Sequence, residues 1–356
     1  MTKVLYSLAG LGRLLDGESY KGAKCFIMLD GNTYEHCLPE LVGAVEALTD
    51  AEFIELPVGE ECKRIEIARQ VWDVLLESGA DRSSLIVNLG GGSVCDLGGF
   101  VAAGFKRGIR YINVPTTLIG MCDAAIGGKT AIDWETPGGL LKNEIGFFYK
   151  PEAVCIDRRF LATLDVAQLA SGGFEVMKAF ALADPQNYAR LLDAGLGAIS
   201  PAMLRSSVAI KQAVVRADPE EHGVRRILNF GHTFGHAIES YSYKQGTALP
   251  HGLAVGLGLM CAMYLSTKKL GMDKEVAERY ACFTRDELRR VGLEPPRYTL
   301  KDTEPLLDYM RHDKKCSGES IRCVLIKEIG VPVIDVEVSE LEVRDTLLSY
   351  SRCCCR

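Results

Sequence analysis

The first half of the chain alternates short apolar runs with helix-forming segments, and this alternation constrains the fold more than any other feature. The apolar runs end at glycine, proline or asparagine, which is typical of strands joined by crossover helices in a parallel sheet. We therefore expect an α/β domain with a parallel sheet. The predicted strands are 24–29, 53–56, 85–87, 111–114 and 154–157, and a helix is predicted over 61–78.

Beyond about residue 160 the apolar residues recur with helical spacing, and alanine and leucine dominate. This change predicts a boundary near 158–163, with an α/β domain over 1–160 and a mostly α-helical domain over 161–356. Segment 321–326 is predicted as a late, isolated strand. A final helix is expected from about Glu340.

Composition excludes several classes of protein. The chain has 356 residues, enough for two domains, and its net charge of -6 with no basic stripe disfavours nucleic-acid binding. The most apolar window, 253–265, is too short and glycine-rich to span a bilayer, so no membrane association is expected. Thirteen scattered cysteines without a Cys-x-x-Cys pair favour reduced thiols and a cytoplasmic protein.

Three histidines and one glutamate are candidate metal ligands. His232 and His236 would share one face of a helix, where they either present nitrogen to a divalent metal or simply pack as helix histidines. His251 opens the next apolar helical run, and an antiparallel helix pair would return it to the same place. Glu175 and Lys178 share one side of an earlier helix. One carboxylate and two imidazoles would leave an open position, as catalytic zinc sites do.

Three consecutive glycines, 90–92, follow the predicted strand 85–87 and precede a helix. Backbone amides at such a junction can approach a diphosphate, and the helix N-terminus favours its charge. The spacing differs from Gly-x-Gly-x-x-Gly, so the ordinary dinucleotide fingerprint is absent. A nucleotide-phosphate site and a tight structural turn both remain open.

Polar and basic residues follow the later strands. Thr116 and Thr117 come directly after strand 111–114, at the end of a parallel strand where ligands usually bind. Lys129, Lys142 and Asn143 are predicted on loops between glycine-rich turns. Such residues are either solvated or form a pocket for phosphate or carboxylate.

Taken together, these segments resemble the 3-dehydroquinate synthase family of sugar phosphate cyclases, from about residue 24 to residue 330. The resemblance rests on seven motifs in order. They are Gly-Gly-Gly-x-x-x-Asp-Leu-x-Gly-Phe at 90–100, Arg-Gly at 107–108, Val-Pro-Thr-Thr at 114–117, Asp123 with Gly-Gly-Lys-Thr at 127–130, Lys-Asn-x-Ile-Gly at 142–146, Arg-x-x-Leu-Asn-x-Gly-His-Thr-Phe-Gly-His-Ala-Ile-Glu at 225–239, and Asp-Lys-Lys at 313–315.

The resemblance implies an NAD-binding α/β domain and a helical domain that holds a divalent metal, zinc or cobalt. Glu175, His232 and His251 would be the metal ligands, and His236 would instead serve the phosphate or a proton transfer. The implied NAD contacts are Asp30, Asn32, Glu60, Lys63, Gly91, Gly92, Asp96, Thr116, Thr117, Asp123, Lys129, Lys142 and Thr163.

The implied substrate is 3-deoxy-D-arabino-heptulosonate 7-phosphate, which carries a carboxylate and a phosphate. Transient oxidation by NAD, phosphate elimination, re-reduction, ring opening and an intramolecular aldol step would yield 3-dehydroquinate for the shikimate pathway. Lys211 and Arg225 would bind the carboxylate, and Lys142 and Lys178 the hydroxyl-bearing ring. The implied phosphate ligands are Lys129, Asn143, Asn229, His236, Lys314 or Lys315, and Arg107 from the second subunit of a homodimer.

Two residues depart from the family pattern beside the metal ligands. Leu253 stands where the family usually has glutamate, and Phe174 where it prefers alanine. Three other readings therefore stay open: another sugar phosphate cyclase, a metal-dependent polyol or alcohol dehydrogenase, and a non-catalytic relative. Retention of Lys211 and Arg225 argues against a substrate without a carboxylate.

Overall fold

Six parallel strands form the sheet predicted for the first half of the chain. The strands are β1 (Lys3–Leu5), β2 (Cys25–Asp30), β3 (Glu52–Leu56), β4 (Leu85–Gly90), β5 (Arg110–Pro115) and β8 (Ala153–Cys155). Their order across the sheet is β1-β8-β5-β4-β2-β3. The five predicted strands are all present. Strand β1 was not predicted, because three residues are too few to show a periodicity.

Helices connect these strands and cover them. All six residues of β4 are buried, which explains the apolar run at 85–87 with which it begins. The predicted helix 61–78 begins only at Ile65, because residues 59–62 form a separate 3₁₀ turn. The helices of this part are α1 (Leu8–Leu15), α2 (Gly31–His36), α3 (Leu38–Ala44), α4 (Ile65–Glu77) and α5 (Gly92–Gly104).

Gly98 lets helix α5 lie close to the sheet. A Cβ atom at Gly98 would clash with the side chain of Asn88 on β4. Asn88 is fully buried, and its Nδ2 donates a hydrogen bond of 2.8 Å to Oδ1 of Asn113 on β5. Glycine at position 98 therefore gives space to a buried polar pair that links two strands.

An antiparallel hairpin, β6 (Lys129–Thr136) and β7 (Gly139–Phe148), replaces the loops predicted around Lys129, Lys142 and Asn143. That prediction was wrong. Charged residues and glycines interrupt the alternation of β7, and several of its apolar side chains are exposed, so the period of two was hidden. The bulge between Ile132 and Trp134 shifts the register and hides it further.

The second half is mostly helical, as predicted. The predicted strand 321–326 is not isolated: β9 (Ile321–Glu328) pairs antiparallel with β10 (Val331–Val338). The bulged β10 had no clear alternation, which is why sequence missed it. The helices are α6 (Val166–Ala183), α7 (Pro185–Ala194), α8 (Pro201–Ala217), α9 (His232–Lys244), α10 (His251–Lys269), α11 (Lys274–Arg290), α12 (Leu300–Arg311) and α13 (Glu340–Cys353).

The chain divides into two compact units, Met1–Leu164 and Asp165–Arg356. The computed structural model describes residues 2–136, 139–311 and 321–353. Within those residues, no helix is long and apolar enough to cross a membrane.

Candidate active site

Three helices of the second unit bring the candidate metal ligands together. Glu175 lies in the middle of α6, whereas His232 and His236 lie in the first two turns of α9. His251 is the first residue of α10. The predicted helix around the histidines thus begins at His232, and the preceding residues 224–229 form a 3₁₀ turn.

Glycines let these helices approach closely enough to form the cluster. A Cβ atom at Gly252 of α10 would clash with the carbonyl of Ser171 on α6. A Cβ atom at Gly258 would clash with the carbonyl of Gly231, immediately before α9. Gly231 has a φ of 79°, a left-handed conformation that favours glycine. Helix α10 therefore packs against both α6 and α9 through backbone contacts.

The carboxylate of Glu175 is the centre of the cluster. Its Oε1 lies 3.6 Å from Nε2 of His232 and 3.6 Å from Nε2 of His251. Its Oε2 forms an ion pair of 2.5 Å with Nζ of Lys178, one turn further along α6. The side chains of Glu175 and Lys178 are 1% and 3% exposed, so these charges interact with little screening by water.

Each of the two imidazoles is held through its other ring nitrogen. Nδ1 of His232 lies 3.2 Å from the carbonyl oxygen of Phe230. Nδ1 of His251 lies 2.8 Å from Oε2 of Glu239 on α9. An acceptor at Nδ1 places the proton there and leaves Nε2 as the nitrogen that can bind a metal.

The charge around His251 favours a cation. Burial by itself lowers the pKa of His251, but the carboxylates of Glu239 and Glu175 outweigh it and raise the pKa to about 10. The two carboxylates therefore stabilise positive charge between them. A divalent metal ion would supply that charge.

The geometry fits a small divalent metal. Two ligands of a tetrahedral zinc ion, each about 2.0–2.1 Å from the metal, lie about 3.3 Å apart. The observed separations of 3.6 Å from Glu175 Oε1 are close to that value. Ligand atoms of His232, His236 and His251 also lie within 4.8 Å of one another. The geometry thus admits both the predicted set with Glu175 and a set of three histidines.

Further polar groups predicted to bind substrate lie in the same unit. Lys211 on α8 and Arg225 in the 3₁₀ turn are both buried, and α8 packs against that turn. The guanidinium of Arg225 donates to the carbonyl of Pro219. Asn229 ends the turn, and its Nδ2 donates to Oε1 of Glu221 at 3.0 Å. Lys314 and Lys315 lie outside the described residues.

In the first unit, three of the predicted NAD contacts meet at the carboxyl ends of β4 and β5. Gly91 caps the N-terminus of α5, and a Cβ atom there would lie 3.2 Å from Thr117. The amide of Thr116 donates to the carbonyl of Gly90 at 2.9 Å. Backbone amides of a helix N-terminus and a threonine hydroxyl therefore share this edge, where parallel sheets usually bind ligands.

Lys63 and Asp96, also predicted at the NAD site, are joined in a buried network. Nζ of Lys63 lies 2.9 Å from Oδ2 of Asp96 and 3.9 Å from Oδ1 of Asp133, and it donates to Oδ1 of Asn143. Burial by itself lowers the pKa of Lys63, but Asp96, Glu60 and Asp133 outweigh it and raise the pKa. The network ties the turn before α4 to α5 and to the hairpin.

Of the remaining predicted NAD contacts, some form hydrogen bonds or ion pairs within the first unit, and others are exposed to solvent. The carboxylate of Asp30 caps α2 by accepting from the amide of Thr33 at 2.9 Å. Glu60 accepts from Ser93 and lies 3.6 Å from Nζ of Lys142. Asp123 lies in a π-helical turn over 120–124. Gly92 begins α5, and the exposed residues are Asn32, Lys129, Lys142 and Thr163.

Family models match most of the chain. The model for the N-terminal part of 3-dehydroquinate synthase matches residues 53–171, and the model for its C-terminal part matches residues 172–316. A 3-dehydroquinate synthase of Parabacteroides distasonis is 39% identical over 336 residues, which cover 93% of this chain and 92% of that one. The chain belongs to the 3-dehydroquinate synthase family.

Solved structures give the same fold. The 2-epi-5-epi-valiolone synthase of Streptomyces hygroscopicus, with NAD⁺ and Zn²⁺ bound, has a TM-score of 0.83 and 26% identity over 99% of this chain and 96% of its own. An iron-containing alcohol dehydrogenase of Thermotoga maritima has a TM-score of 0.63 and 13% identity over 99% of this chain and 98% of its own. The dehydrogenase shares the fold alone.

The two departures from the 3-dehydroquinate synthase pattern are apolar and fully buried. Leu253 and Phe174 are both 0% exposed. The Phe174 ring lies where a Cβ atom at Gly256 of α10 would fall, and it meets Phe283 of α11 edge-on with ring centroids 6.2 Å apart. Phe174 thus fills the space that Gly256 leaves between α6 and α10.

Three residues that the sequence does not single out make hydrogen-bonding contacts with predicted site residues. Glu239 contacts His251, Glu221 accepts from Asn229, and Asp133 accepts from the amide of Asn143 at 2.8 Å. Glu239 is the last residue of the 225–239 motif, and Asp133 lies in the hairpin that the sequence does not predict. The signal for Glu239 was its spacing of seven residues from His232, which is two helical turns on one face.

Proposed function

We propose that the chain converts 3-deoxy-D-arabino-heptulosonate 7-phosphate to 3-dehydroquinate and phosphate with recycling of NAD. The observation that carries this proposal is the convergence of two anchored imidazoles on buried Glu175 beside Lys178, in a chain that both family models match. This arrangement suits the oxidation of an alcohol, which must lose its hydroxyl proton. It provides a carboxylate and two Nε2 atoms for a metal and a neighbouring ammonium group.

Glu175, His232 and His251 would hold a divalent metal, and His236 would remain for the phosphate or for proton transfer. When bound, the metal would lower the pKa of the ring hydroxyl and NAD would accept the hydride. Lys178, held by Glu175 at 2.5 Å, would orient the hydroxyl-bearing ring. The Streptomyces relative, which carries NAD⁺ and Zn²⁺, supports this choice of cofactors.

A carboxylate-bearing substrate is favoured by two buried cations. Lys211 and Arg225 would bind the substrate carboxylate, and Asn229 would contact the phosphate with its amide oriented by Glu221. A polyol has no group that requires buried lysine and arginine. These cations therefore favour the synthase over the polyol or alcohol dehydrogenase, and over a cyclase whose substrate lacks a carboxylate.

The first unit would bind NAD at the carboxyl edge of its sheet. Gly91 and Gly92 would present amides to the diphosphate, with Thr116, Thr117 and Asp123 nearer the nicotinamide. Adenosine contacts are assigned to Asp30, Asn32, Glu60 and Lys63, and further contacts to Asp96, Lys129, Lys142 and Thr163. Lys129 and Asn143 are also assigned to the phosphate, and Lys142 to the ring. All of these assignments stay predictions.

The proposal includes a cytosolic homodimer. Arg107, which is exposed and has a φ of 67°, would reach the phosphate of the second subunit. The cysteines whose side chains the structure describes form no disulfide with one another, which is consistent with a reducing compartment. Sedimentation of the purified chain measures the assembly directly.

The test is phosphate release from 3-deoxy-D-arabino-heptulosonate 7-phosphate with catalytic amounts of NAD. We expect release without accumulating NADH, loss of release on chelation, and recovery with zinc or cobalt. Glu175→Gln should abolish release, whereas Glu278→Gln, at an exposed i,i+4 pair with Lys274, should retain it. No release by metal-replete protein, or accumulation of NADH from a polyol, would contradict the synthase.

A further inference from the structure

Glu239 is the partner of His251 on the side of the ring away from Glu175. Its Oε2 lies 2.8 Å from Nδ1 of His251, and its side chain is 13% exposed. Glu239 lies in the second half of α9, while His251 begins α10. The contact therefore crosses from one helix to the other and fixes the ring of a residue at a helix end.

The imidazoles of His232 and His251 have different acceptors at Nδ1. His232 has the neutral carbonyl of Phe230 at Nδ1, two residues before it in the chain, so its anchor is local. His251 has a carboxylate at the corresponding atom, supplied by a separate helix. A charged acceptor makes its imidazole a more basic ligand than a carbonyl does, and it holds the ring more strongly.

The neighbouring residues of α10 offer His251 no second carboxylate. Gly252 has no side chain, and Leu253 is apolar and fully buried. His236, the nearest other ring besides His232, lies with its centroid 5.6 Å from that of His251. The carboxylate at Nδ1 of His251 therefore comes from α9 and not from its own helix.

We propose that Glu239 is a positioning residue that holds Nε2 of His251 toward Glu175 and thereby sets the affinity of the metal site. This inference rests on the proposed metal site and adds the residue that tunes it. Its carboxylate lies at Nδ1 of His251, whereas Nε2 is the atom that would bind the metal. Its effect passes through the imidazole of His251.

The test measures zinc affinity by chelator competition on the full-length protein, with the ligand-field absorption of bound cobalt as a second readout. We expect Glu239→Gln and Glu239→Ala to bind zinc about 10–100-fold more weakly, with the larger loss in the alanine variant. The cobalt spectrum should shift because the geometry at His251 changes. Glu278→Gln removes the same charge at an exposed site and should match the wild type in both readouts.

Circular dichroism and thermal unfolding of the metal-free proteins separate positioning from folding. If Glu239→Ala does not fold, the nearly isosteric glutamine variant carries the test. Wild-type zinc affinity in a folded Glu239 variant would overturn the positioning role while leaving the synthase proposal intact. No stoichiometric metal in the wild-type protein would instead overturn the metal site on which the inference rests.

Discussion

At the scale of single residues, Lys63 shows how a buried charge can organise the backbone around it. Its ammonium group lies within 4 Å of carboxylates on α5 and β6. Its carbonyl oxygen accepts from the amide of Asp133 at 2.7 Å. Both the side chain and the main chain of Lys63 thus fix the hairpin to the first unit.

Replacing Lys63 by methionine should therefore destabilise the protein strongly. Loss of one partner from a buried ion pair leaves an uncompensated charge, which costs about 3–5 kcal/mol. The control is Lys274→Met, at an exposed pair with Glu278, which should change the free energy of unfolding by less than about 1 kcal/mol. Urea unfolding measures both, and equal midpoints for the two variants would contradict the buried network.

The pH dependence of this contribution follows from the sign of the shift. The pKa of Lys63 is raised above its usual value of 10.5 in the folded protein. The stabilisation is therefore complete below pH 10.5 and is lost only as the pH rises through the higher folded-state value. The difference between wild type and Lys63→Met should accordingly stay constant from neutral pH to about pH 9.

At the scale of elements, α10 is the helix that holds the candidate metal site together. It carries His251 and contacts α6 through Gly252 and Gly256, and it meets the start of α9 through Gly258. Fourteen of its 19 residues are buried, and its exposed residues, Lys268 and Lys269, lie in the last turn. Such a helix is typical of the centre of a bundle.

Gly258→Ala should separate α10 from α9. The added methyl group would meet backbone atoms of Gly231 and Gly235, which cannot rotate away as a side chain can. We expect a loss of about 1–3 kcal/mol or more in the free energy of unfolding, together with weaker zinc binding, because His232 and His251 move apart.

Gly197→Ala is the matched control for that substitution. Gly197 lies in the 3₁₀ turn 196–198, and a Cβ atom there would have nothing within 4 Å. This variant should keep the wild-type unfolding free energy within about 0.5 kcal/mol and the wild-type zinc affinity. A Gly258→Ala protein as stable as Gly197→Ala would show that the helices can adjust without cost.

At the scale of the whole molecule, removal of the metal should destabilise the second unit. A ligand that binds only the folded state adds about 2.7 kcal/mol when its concentration is 100 times its Kd. Chelation should therefore lower the thermal midpoint of the wild-type protein, and added zinc should restore it. In Glu175→Gln, neither treatment should shift the midpoint by a comparable amount, which calorimetry can measure.

Much of the fold could be predicted from sequence, because buried apolar residues recur with the period of the strand or helix that contains them. The apolar runs at the start of β2 and β4 indicated central strands, and the helical spacing beyond residue 160 indicated the second unit. The hairpin β6–β7 could not be predicted, since many of its side chains are exposed on both faces and its charged residues resemble a loop. Strand β10 was missed for a similar reason, because its bulges break the alternation.

The sequence by itself determined the kinds of chemistry available: three histidines, a glutamate, several lysines and arginines and a glycine-rich strand end, in an order that identifies the family. Only the tertiary structure decided which groups act together. Glu239 reaches His251 because Gly258 lets α10 approach α9, and Phe174 packs against Gly256 of α10 and Phe283 of α11. Such contacts depend on distances between helices, and a linear pattern records only the spacing within each helix.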